Sequence, residues 1–508
     1  MTSETIRDTS QEPDRPDDPS ELPLFARPIR EPEPPPQIRS TTNLHPRPQL
    51  EGQRDHEAAA EVDWGLVAAL RSQASEQLSQ AVAADRGRLD RAAQQELGRS
   101  IVLDLIEAAL AETVNAGRPA WSISQQNALA RAVFDSLFRL GRLQPLVDDD
   151  RVENIIITGH DNVVLELIDG SQIDAPAVAD SDEELIDFLV FLASRSEVNA
   201  RGFSEAQPRL HLRLDGGARL AAAAWVTPVP SVVIRRHRLM EVTLDDLVAR
   251  SMLTPVAASF LRAAVRARRS IVVSGCQGAG KTTLVRALCA EIDYLEAIGT
   301  FETEYELHLH EMRDRHKIVH AWEARPGSGE RGLDGRQAGE FTLDEALVDS
   351  FRFNLSRQIV GEVRGKEIWA MIKAMESGTG SISTTHATDA VAAIRKLVTC
   401  AMEAGTQVTQ ELATSKLAAT IDLVVHLDLR TTTQGGSFER TRRVAEIIAV
   451  TPGERETGYA TTHVFAPGAD GTAVPVVLPD EYRALTADGF DLAGYLAAAQ
   501  RAYDGGRP

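Results

Sequence analysis

Cysteine is scarce in this chain of 508 residues, and its three occurrences are Cys276, Cys289 and Cys400. Their number is odd and no two of them have C-x-x-C spacing, so the sequence supports neither a disulfide framework nor a thiolate metal site. A chain of this kind is typical of a reducing compartment. Lysine is also scarce, with six residues against a total of 54 lysines and arginines, which makes Lys281 conspicuous.

Long apolar runs are absent as well. No stretch approaches the roughly 18 residues that a membrane-spanning helix needs, and no signal peptide opens the sequence. We therefore expect a cytoplasmic protein that is at most peripheral, at the inner face of the cell membrane. The formal net charge of −20 argues against a broad surface for nucleic acid, although it leaves room for a local basic channel.

The amino-terminal half of the chain divides into three parts. Residues 1–60 are rich in proline and poor in large apolar side chains, so we expect a disordered tail. Residues 61–145 carry apolar side chains at helical spacing, which predicts a helical domain. Residues 146–236 are predicted to form a small α/β domain, with a helix that starts at the capping box Ser181–Glu184. The strands predicted in this domain are 152–157, 163–168, 210–214, 219–225 and 231–235.

The rest of the chain is predicted to be dominated by a larger α/β domain. Strands alternate with helices from 237 to 450, as a parallel sheet flanked by helices requires. Near its end, 423–428 and 443–450 are predicted to pair as a β-hairpin. Residues 451–508 carry little information, and we treat them as a carboxyl-terminal appendix.

The most informative segment is Gly275-Cys276-Gln277-Gly278-Ala279-Gly280-Lys281-Thr282, a complete G-x-x-x-x-G-K-[ST] phosphate loop. An apolar strand precedes it and a helix begins with Thr283, which is the setting in which such a loop works. Its backbone N–H groups and the helix amino terminus attract anions. Lys281 is expected to reach the β- and γ-phosphates, and the Thr282 hydroxyl to hold Mg²⁺. The predicted nucleotide-binding residues are Gly275, Gln277, Gly278, Ala279, Gly280, Lys281, Thr282 and Thr283.

Three downstream features carry further chemistry. Glu362 ends an apolar strand, where open α/β sheets place their ligand crevice, and could orient water or the Mg²⁺ shell. The acidic segment Thr300–Leu307 also follows an apolar stretch, and His386 ends a third strand. Each has an ordinary structural alternative, as a strand-end acid, a solvated edge or a structural histidine. Their order behind the phosphate loop favours the functional interpretation.

Four histidines crowd one segment, but their spacing matches no established zinc pattern, so metal binding is not predicted there. They are His308, His310, His316 and His320.

At this point the chain resembles a family, the ATPases of type II and type IV secretion systems, especially the branch that serves Tad-type pili and conjugation-like machines. The resemblance runs from about 146 to 450. The phosphate loop matches the family's Walker A motif, and Thr300–Leu307 its acidic box, although Thr303 stands where Asp is usual, which leaves Glu302 as the candidate. Gly361–Gly365 matches the atypical Walker B motif, with Glu362 as catalytic glutamate, and Thr384–Ala387 the histidine box, with His386.

The resemblance implies more than these motifs. It implies a hexameric ring in which ATP and Mg²⁺ bind between the amino-terminal domain and a RecA-like motor domain, with Thr282 and Glu362 at the metal. Arginines of the preceding domain are implied to approach the nucleotide. The candidates carried over are Arg201, Arg219 and Arg235, with Arg352 and Arg357 from the segment before Glu362.

The function implied is an ATPase motor that powers pilus assembly or substrate transfer across the cell envelope, with an inner-membrane platform protein as partner. Two alternatives remain open at this stage. One is a RecA-like nucleic-acid motor, which the acidic composition disfavours. The other is a nucleotide-dependent scaffold with little turnover, which the intact Lys281, Thr282 and Glu362 disfavour.

Overall fold

The structure is a computed structural model that describes most of the chain from residue 62 onward. The described ranges are 62–84, 89–194, 202–236, 241–325, 327–332, 336–405, 407–434, 437–453 and 458–505. The predicted disordered tail, 1–60, lies outside these residues, and so does Arg201.

Three long helices open the described part of the chain: α1 (Trp64–Ala84), α2 (Arg91–Asn115) and α3 (Ile123–Phe138). They pack around a small apolar core, and α3 begins at a complete capping box in which Ser122 and Gln125 bond to each other's backbone N–H. Helices at this place agree with the helical spacing of the apolar residues. A short helix, α4 (Gln144–Asp148), leads into the first sheet.

The first sheet is antiparallel, with six strands among the described residues in the order β3-β2-β1-β6-β5-β4. Its strands are β1 (Val152–Thr158), β2 (Val163–Leu167), β3 (Gln172–Ala175), β4 (Arg209–Arg213), β5 (Arg219–Ala223) and β6 (Ser231–Arg235). Helix α5 (Asp182–Ser194) contributes Leu185 and Leu189 to its core. Strand β5 ends two residues earlier than the predicted strand, because Trp225 has a φ of 63°, which an extended strand does not accommodate.

The second sheet has nine strands within the described ranges, in the order β17-β16-β15-β14-β7-β13-β12-β8-β9. Its parallel strands are β7 (Ile271–Gly275), β8 (Ala297–Glu302), β9 (Ile318–Glu323), β12 (Arg357–Glu362), β13 (Ser381–Thr385) and β14 (Leu423–Gln434). Antiparallel pairing continues through β15 (Ser437–Pro452), β16 (Tyr459–Pro467) and β17 (Ala473–Pro475). A separate small ribbon pairs β10 (Ser328–Arg331) with β11 (Gln337–Ala338).

Helices cover the second sheet. They are α6 (Leu244–Ala249), α7 (Pro255–Arg266), α8 (Lys281–Cys289), α9 (Leu343–Ser350), α10 (Ile368–Glu376), α11 (Ala390–Ala404), α12 (Gln410–Thr420) and α13 (Leu492–Gly505). All residues of β7 and β13 are buried, as expected of parallel strands covered on both faces. Because parallel strands end at a common edge, Gly275, Glu302, Glu362 and Thr385 all come to that edge.

The segment treated as an appendix shares the core of the second sheet. Phe465, Tyr482 and Tyr495 are buried, and the rings of Phe465 and Tyr482 contact that of Phe260 in α7. The expected boundary at 450 falls inside β15. These contacts join residues about 200 positions apart in the chain, a relationship that local periodicity does not reveal.

The predicted hairpin is present and longer than expected. Strands β14 and β15 pair from Leu423 with Ala449 to Gln434 with Ser437. Threonine is a good strand former, and it extends the pairing through 431–433, beyond the predicted end of the first strand at 428.

Candidate functional site

The phosphate loop joins β7 to α8 as the motif requires. Gly280 precedes α8 with a left-handed φ of 91°, and a Cβ on Gly275 would lie 2.7 Å from the carbonyl oxygen of Leu427 on the neighbouring strand. Cys276, Gln277 and Gly278 are exposed at the mouth of the loop, whereas Ala279 is buried beneath it. Thr282 and Thr283 lie half-buried in the first turn of α8.

Lys281 folds back over the loop and bonds to it. Its Nζ donates to the carbonyl oxygens of Gly275 at 3.2 Å and Cys276 at 2.9 Å. The side chain is buried, which lowers the pKa of Lys281, while the nearby Glu362 carboxylate acts in the opposite direction. The ammonium group therefore lies at the centre of the loop, where phosphate oxygens would compete with these two carbonyls.

His386 connects Lys281 to Glu362. Its Nδ1 lies 3.1 Å from Lys281 Nζ, and its Nε2 lies 2.6 Å from Glu362 Oε1. An ammonium group can only donate, so Nδ1 accepts and Nε2–H donates to the carboxylate. Burial, followed by the positive charge of Lys281, lowers the pKa of His386, which favours this neutral form. Arg364 Nε donates to the other oxygen of Glu362 at 2.7 Å.

Glu306, which was not singled out from the sequence, contacts Thr282 directly. Its Oε2 accepts the Thr282 hydroxyl at 3.1 Å, and its Oε1 pairs with Arg219 of the first sheet. Arg219 also donates to the backbone carbonyls of Glu304 at 3.0 Å and Tyr305 at 2.6 Å. The only sequence signal for Glu306 is its place at the end of the acidic box.

Glu302, the candidate from the acidic box, lies in an enclosed environment. It is buried, and its Oε2 accepts the backbone N–H groups of Glu306 at 2.7 Å and Leu307 at 2.9 Å. Its Oε1 has no hydrogen-bond partner among the described residues. Burial raises the pKa of Glu302 to about 7. These contacts hold the segment that carries Glu306, and the catalytic role of Glu302 stays a prediction.

Two arginines of the first sheet face the phosphate loop. Arg219 on β5 and Arg235 on β6 are directly paired across the two strands. With the Gln277 amide turned so that its oxygen faces the guanidinium group, Arg235 Nη1 donates to it at 2.9 Å. Two of the three arginines expected from the preceding domain are therefore brought to the site, and Arg201 lies outside the described residues.

The β14–β15 hairpin adds a contact that the sequence did not reveal. Arg442 Nε donates to the carbonyl oxygen of Gly278 in the phosphate loop at 2.8 Å. Its Nη2 lies 3.2 Å from Glu153 Oε1 on β1. Close by, Arg440 pairs with Glu166 on β2. The hairpin thus ties the first sheet to the phosphate loop.

The two arginines expected from the segment before Glu362 are not at the site. Arg357 begins β12, at the opposite end of the strand from Glu362, where it is buried and pairs with Glu296 at 2.9 Å. Arg352 is exposed and pairs with Asp349 at 3.4 Å. The expectation was wrong for Arg357, because it used closeness in sequence and ignored the length of the strand between, whereas a role for the exposed Arg352 stays a prediction.

A phosphate loop at the carboxyl edge of a largely parallel sheet, with a glutamate and a histidine on adjacent strands, defines a P-loop protein. Residues 189–454 match the family model described as "Type II/IV secretion system protein", and the chain belongs to that family. The resemblance expected from the motifs is therefore confirmed. No helix in the described part of the chain is long and apolar enough to cross a membrane.

Individual relatives come from conjugation and secretion systems. The chain is 29% identical over 343 residues to the conjugal transfer protein TrbB of Rhizobium radiobacter, covering 66% of this chain and 94% of the relative. It is 34% identical over 189 residues to the type IV secretion system protein PtlH of Bordetella pertussis, covering 37% of this chain and 52% of the relative.

Two solved structures were compared with this one. The VirB11 ATPase of Brucella suis is 24% identical and aligns with a TM-score of 0.31 over 61% of this chain and 96% of that chain. The ATPase DotB of Legionella pneumophila is 16% identical and aligns with a TM-score of 0.43 over 73% of this chain and 88% of that chain.

Proposed function

We propose that the protein is an ATPase whose turnover powers a secretion, conjugation or pilus machine at the cell envelope. The observation that carries the proposal is the convergence of Lys281, Thr282, Glu306 and Glu362 at one edge of the sheet, with two arginines of the first sheet facing them. Family membership and the conjugal relative TrbB support the same class of function.

The oxygen donors beside the loop fit Mg²⁺. Thr282 Oγ1 and Glu306 Oε2 are 3.1 Å apart, close to the separation of about 2.9 Å between adjacent ligands in an octahedral Mg²⁺ shell. Both are hard oxygen atoms, which Mg²⁺ prefers. We therefore add Glu306 to Thr282 and Glu362 as residues that would hold the ion directly or through water. The bound ion would neutralise charge between the β- and γ-phosphates.

Glu362 is proposed to orient the attacking water. Its carboxylate is held from two sides by His386 and Arg364, so its direction is fixed. When Lys281 turns from the loop carbonyls to the phosphates, it also leaves His386 Nδ1. His386 Nδ1 then loses its hydrogen-bond donor, and in this way occupancy of the loop would be transmitted to the imidazole that holds Glu362.

Arg219 and Arg235 are proposed to stabilise the charge that spreads over the γ-phosphate in the transition state. An arginine in this role is worth roughly 10³–10⁵ in rate in well-studied NTPases. Arg219 is held by Glu306, and Arg235 lies against Gln277. Both contacts lie beside the phosphate loop, so a small movement of the first sheet would transfer the guanidinium groups to the nucleotide.

We further propose a hexameric ring located in the cytoplasm at the inner face of the membrane, working on an inner-membrane platform protein. The proposal is tested on the purified full chain by measuring Mg²⁺-dependent ATP hydrolysis together with light scattering. Turnover that requires Mg²⁺, and a mass near six chains that ATP favours, are the expected results. A monomer at micromolar concentration with and without ATP contradicts the ring, and no hydrolysis in any assembly state contradicts the ATPase.

A further inference from the structure

Two histidines and a glutamate meet just beyond Glu306, on the 3₁₀ turn Leu309–Glu311 and on His308, the residue directly before it. One nitrogen of His308, one nitrogen of His310 and one carboxylate oxygen of Glu311 all lie within 4.8 Å of one another. His308 Nδ1 is 3.0 Å from Glu311 Oε1, and His310 Nε2 is 3.6 Å from the same oxygen. The sequence spacing gave no reason to expect a metal site here, but the turn folds the three side chains to one side.

The backbone at His308 is in a conformation that few non-glycine residues adopt. Its φ of 52° and ψ of 27° lie in the left-handed region, and the 3₁₀ turn begins directly after it. Histidine tolerates this region better than most residues, yet it remains uncommon. Sparsely populated conformations of this kind cluster at binding sites and active sites. Here the conformation directs the imidazole back towards Glu311.

In both rings the nitrogen that is not next to Glu311 has no hydrogen-bond partner among the described residues. His308 is 1% exposed, and its Nε2 has no partner within the described chain. His310 Nδ1 is likewise buried without a partner there. The nitrogens next to Glu311 Oε1, His308 Nδ1 and His310 Nε2, are therefore the ones that would bind an ion.

The spacing agrees with a tetrahedral ion. Zn²⁺ ligands at about 2.0–2.1 Å from the metal lie about 3.3–3.4 Å from one another. The two distances to Glu311 Oε1, 3.0 and 3.6 Å, lie on either side of that value, and all three ligand atoms lie within 4.8 Å of one another. We propose that His308, His310 and Glu311 bind Zn²⁺ or a similar divalent transition-metal ion, with water completing the shell. Imidazole favours such ions over Mg²⁺, which selects oxygen, so the site would be distinct from that of Mg·ATP.

The proposed metal site lies between the first sheet and helix α8. A Cβ on Gly217, in the β4–β5 turn of the first sheet, would lie 4.0 Å from His308 Cε1. On the other side, Arg286 of α8 holds the carbonyl oxygens of Glu306 and Leu307. An ion would therefore fix the segment that carries Glu306 at the point where the first sheet contacts it, which makes the site structural or regulatory rather than catalytic.

The test uses the tag-free full chain, stripped with a chelator and titrated with Zn²⁺ alone in competition with a chromophoric chelator. We expect a single strongly bound Zn²⁺ per chain, and a thermal unfolding midpoint that rises with Zn²⁺ and does not rise with equal Mg²⁺. His310→Ala and Glu311→Gln, which alter partly exposed side chains, should each weaken Zn²⁺ binding by about tenfold or more.

His160→Ala is the matched control, because His160 also pairs with a carboxylate, that of Asp182 at 2.9 Å, but is outside the cluster. It should bind Zn²⁺ as the parent does. Parent protein that takes up no Zn²⁺, or folded His310→Ala and Glu311→Gln variants that retain the parent's stoichiometry and affinity, would overturn the proposal and leave a hydrogen-bonded cluster only.

Discussion

Arg219 and Arg235 lie directly opposite each other on neighbouring antiparallel strands of the first sheet. Like charges in this relationship normally destabilise a sheet. Here Arg219 is compensated by the carboxylate of Glu306, whereas Arg235 meets the neutral amide of Gln277. Two cations held side by side next to a phosphate loop would gain from an anion placed between them. If ATP binds as proposed, its phosphates would relieve this repulsion between the two arginines.

The first prediction concerns Lys281. Lys281→Ala should weaken ATP binding by about ten- to hundredfold, the range expected when one charge-assisted hydrogen bond to a phosphate is lost. Binding is measured by titration with a fluorescent nucleotide. The control is Lys373→Ala, which removes a surface lysine paired with Asp344 and should bind as the parent does. Unchanged affinity and turnover in folded Lys281→Ala would refute the phosphate-loop assignment.

The second prediction separates binding from chemistry at Glu362. Glu362→Gln keeps the shape of the side chain. It weakens the hydrogen bond from Arg364 and removes the carboxylate that is proposed to orient water. We expect ATP affinity to remain near that of the parent while kcat falls by about 10²–10⁴. Single-turnover hydrolysis and nucleotide titration measure the two quantities. Hydrolysis at the parent rate would exclude Glu362 as the catalytic acid.

The third prediction concerns Glu302. It distinguishes a residue that holds the backbone of the acidic segment from one that takes part in the reaction. Glu302→Gln retains a carbonyl oxygen that can accept the backbone N–H groups of Glu306 and Leu307. We therefore expect its turnover to fall far less than that of Glu362→Gln. Steady-state hydrolysis of the two variants side by side is the measurement, and equal losses would return Glu302 to the reacting centre.

The fourth prediction is the part of the pH dependence of the unfolding free energy that comes from Glu302. Burial raises the pKa of Glu302 from 4.5 to about 7 in the folded protein, so between these values the native state binds more protons than the unfolded state. The contribution of this group to stability is full below pH 4.5 and falls by the order of 3 kcal/mol as the pH rises to about 7. Urea unfolding of parent and Glu302→Gln from pH 5 to 8 measures it. A stability difference that stays constant with pH would contradict the prediction.

Sequence reasoning located the residues of the phosphate loop, Glu362 and His386, because each follows a short apolar strand at a motif with fixed spacing. The structure brings Lys281, His386 and Glu362 into one chain of contacts. The sequence alone could not distinguish the role of Glu302 from that of Glu306, since both are glutamates of one acidic segment. Only the turn after β8 decides which carboxylate is buried and which reaches Thr282.

Contacts between segments distant in sequence also could not be predicted from local sequence patterns. Arg442 reaches the phosphate loop from the β14–β15 hairpin, and Tyr482 packs against α7 from the segment treated as an appendix. Nothing in the spacing of their neighbours marks either residue. The misplacement of Arg357 has the same origin, because the six-residue strand β12 separates it from Glu362 by its full length.

The last prediction returns to the paired arginines. Arg219→Ala and Arg235→Ala should leave ATP affinity largely intact and reduce turnover strongly, because the positive charge is needed most when negative charge spreads over the γ-phosphate. Arg219→Ala also removes the ion pair that holds Glu306, which in turn contacts Thr282. The Mg²⁺ requirement of the Arg219→Ala variant should therefore change, while that of the Arg235→Ala variant should not. Nucleotide titration, steady-state hydrolysis and a Mg²⁺ titration of activity measure the three effects.

Arg209→Ala is the control for this pair, since Arg209 is an exposed arginine on β4 of the same sheet and is not among the residues that contact the loop. It should hydrolyse ATP at the parent rate. Arg201→Ala completes the set, as the third arginine implied by the family resemblance. If the folded Arg219, Arg235 and Arg201 variants all hydrolyse ATP within about threefold of the parent, the barrier has changed by only about 0.65 kcal/mol. That is far below the contribution of an arginine at the γ-phosphate, and the first sheet would then have no part in the chemical step.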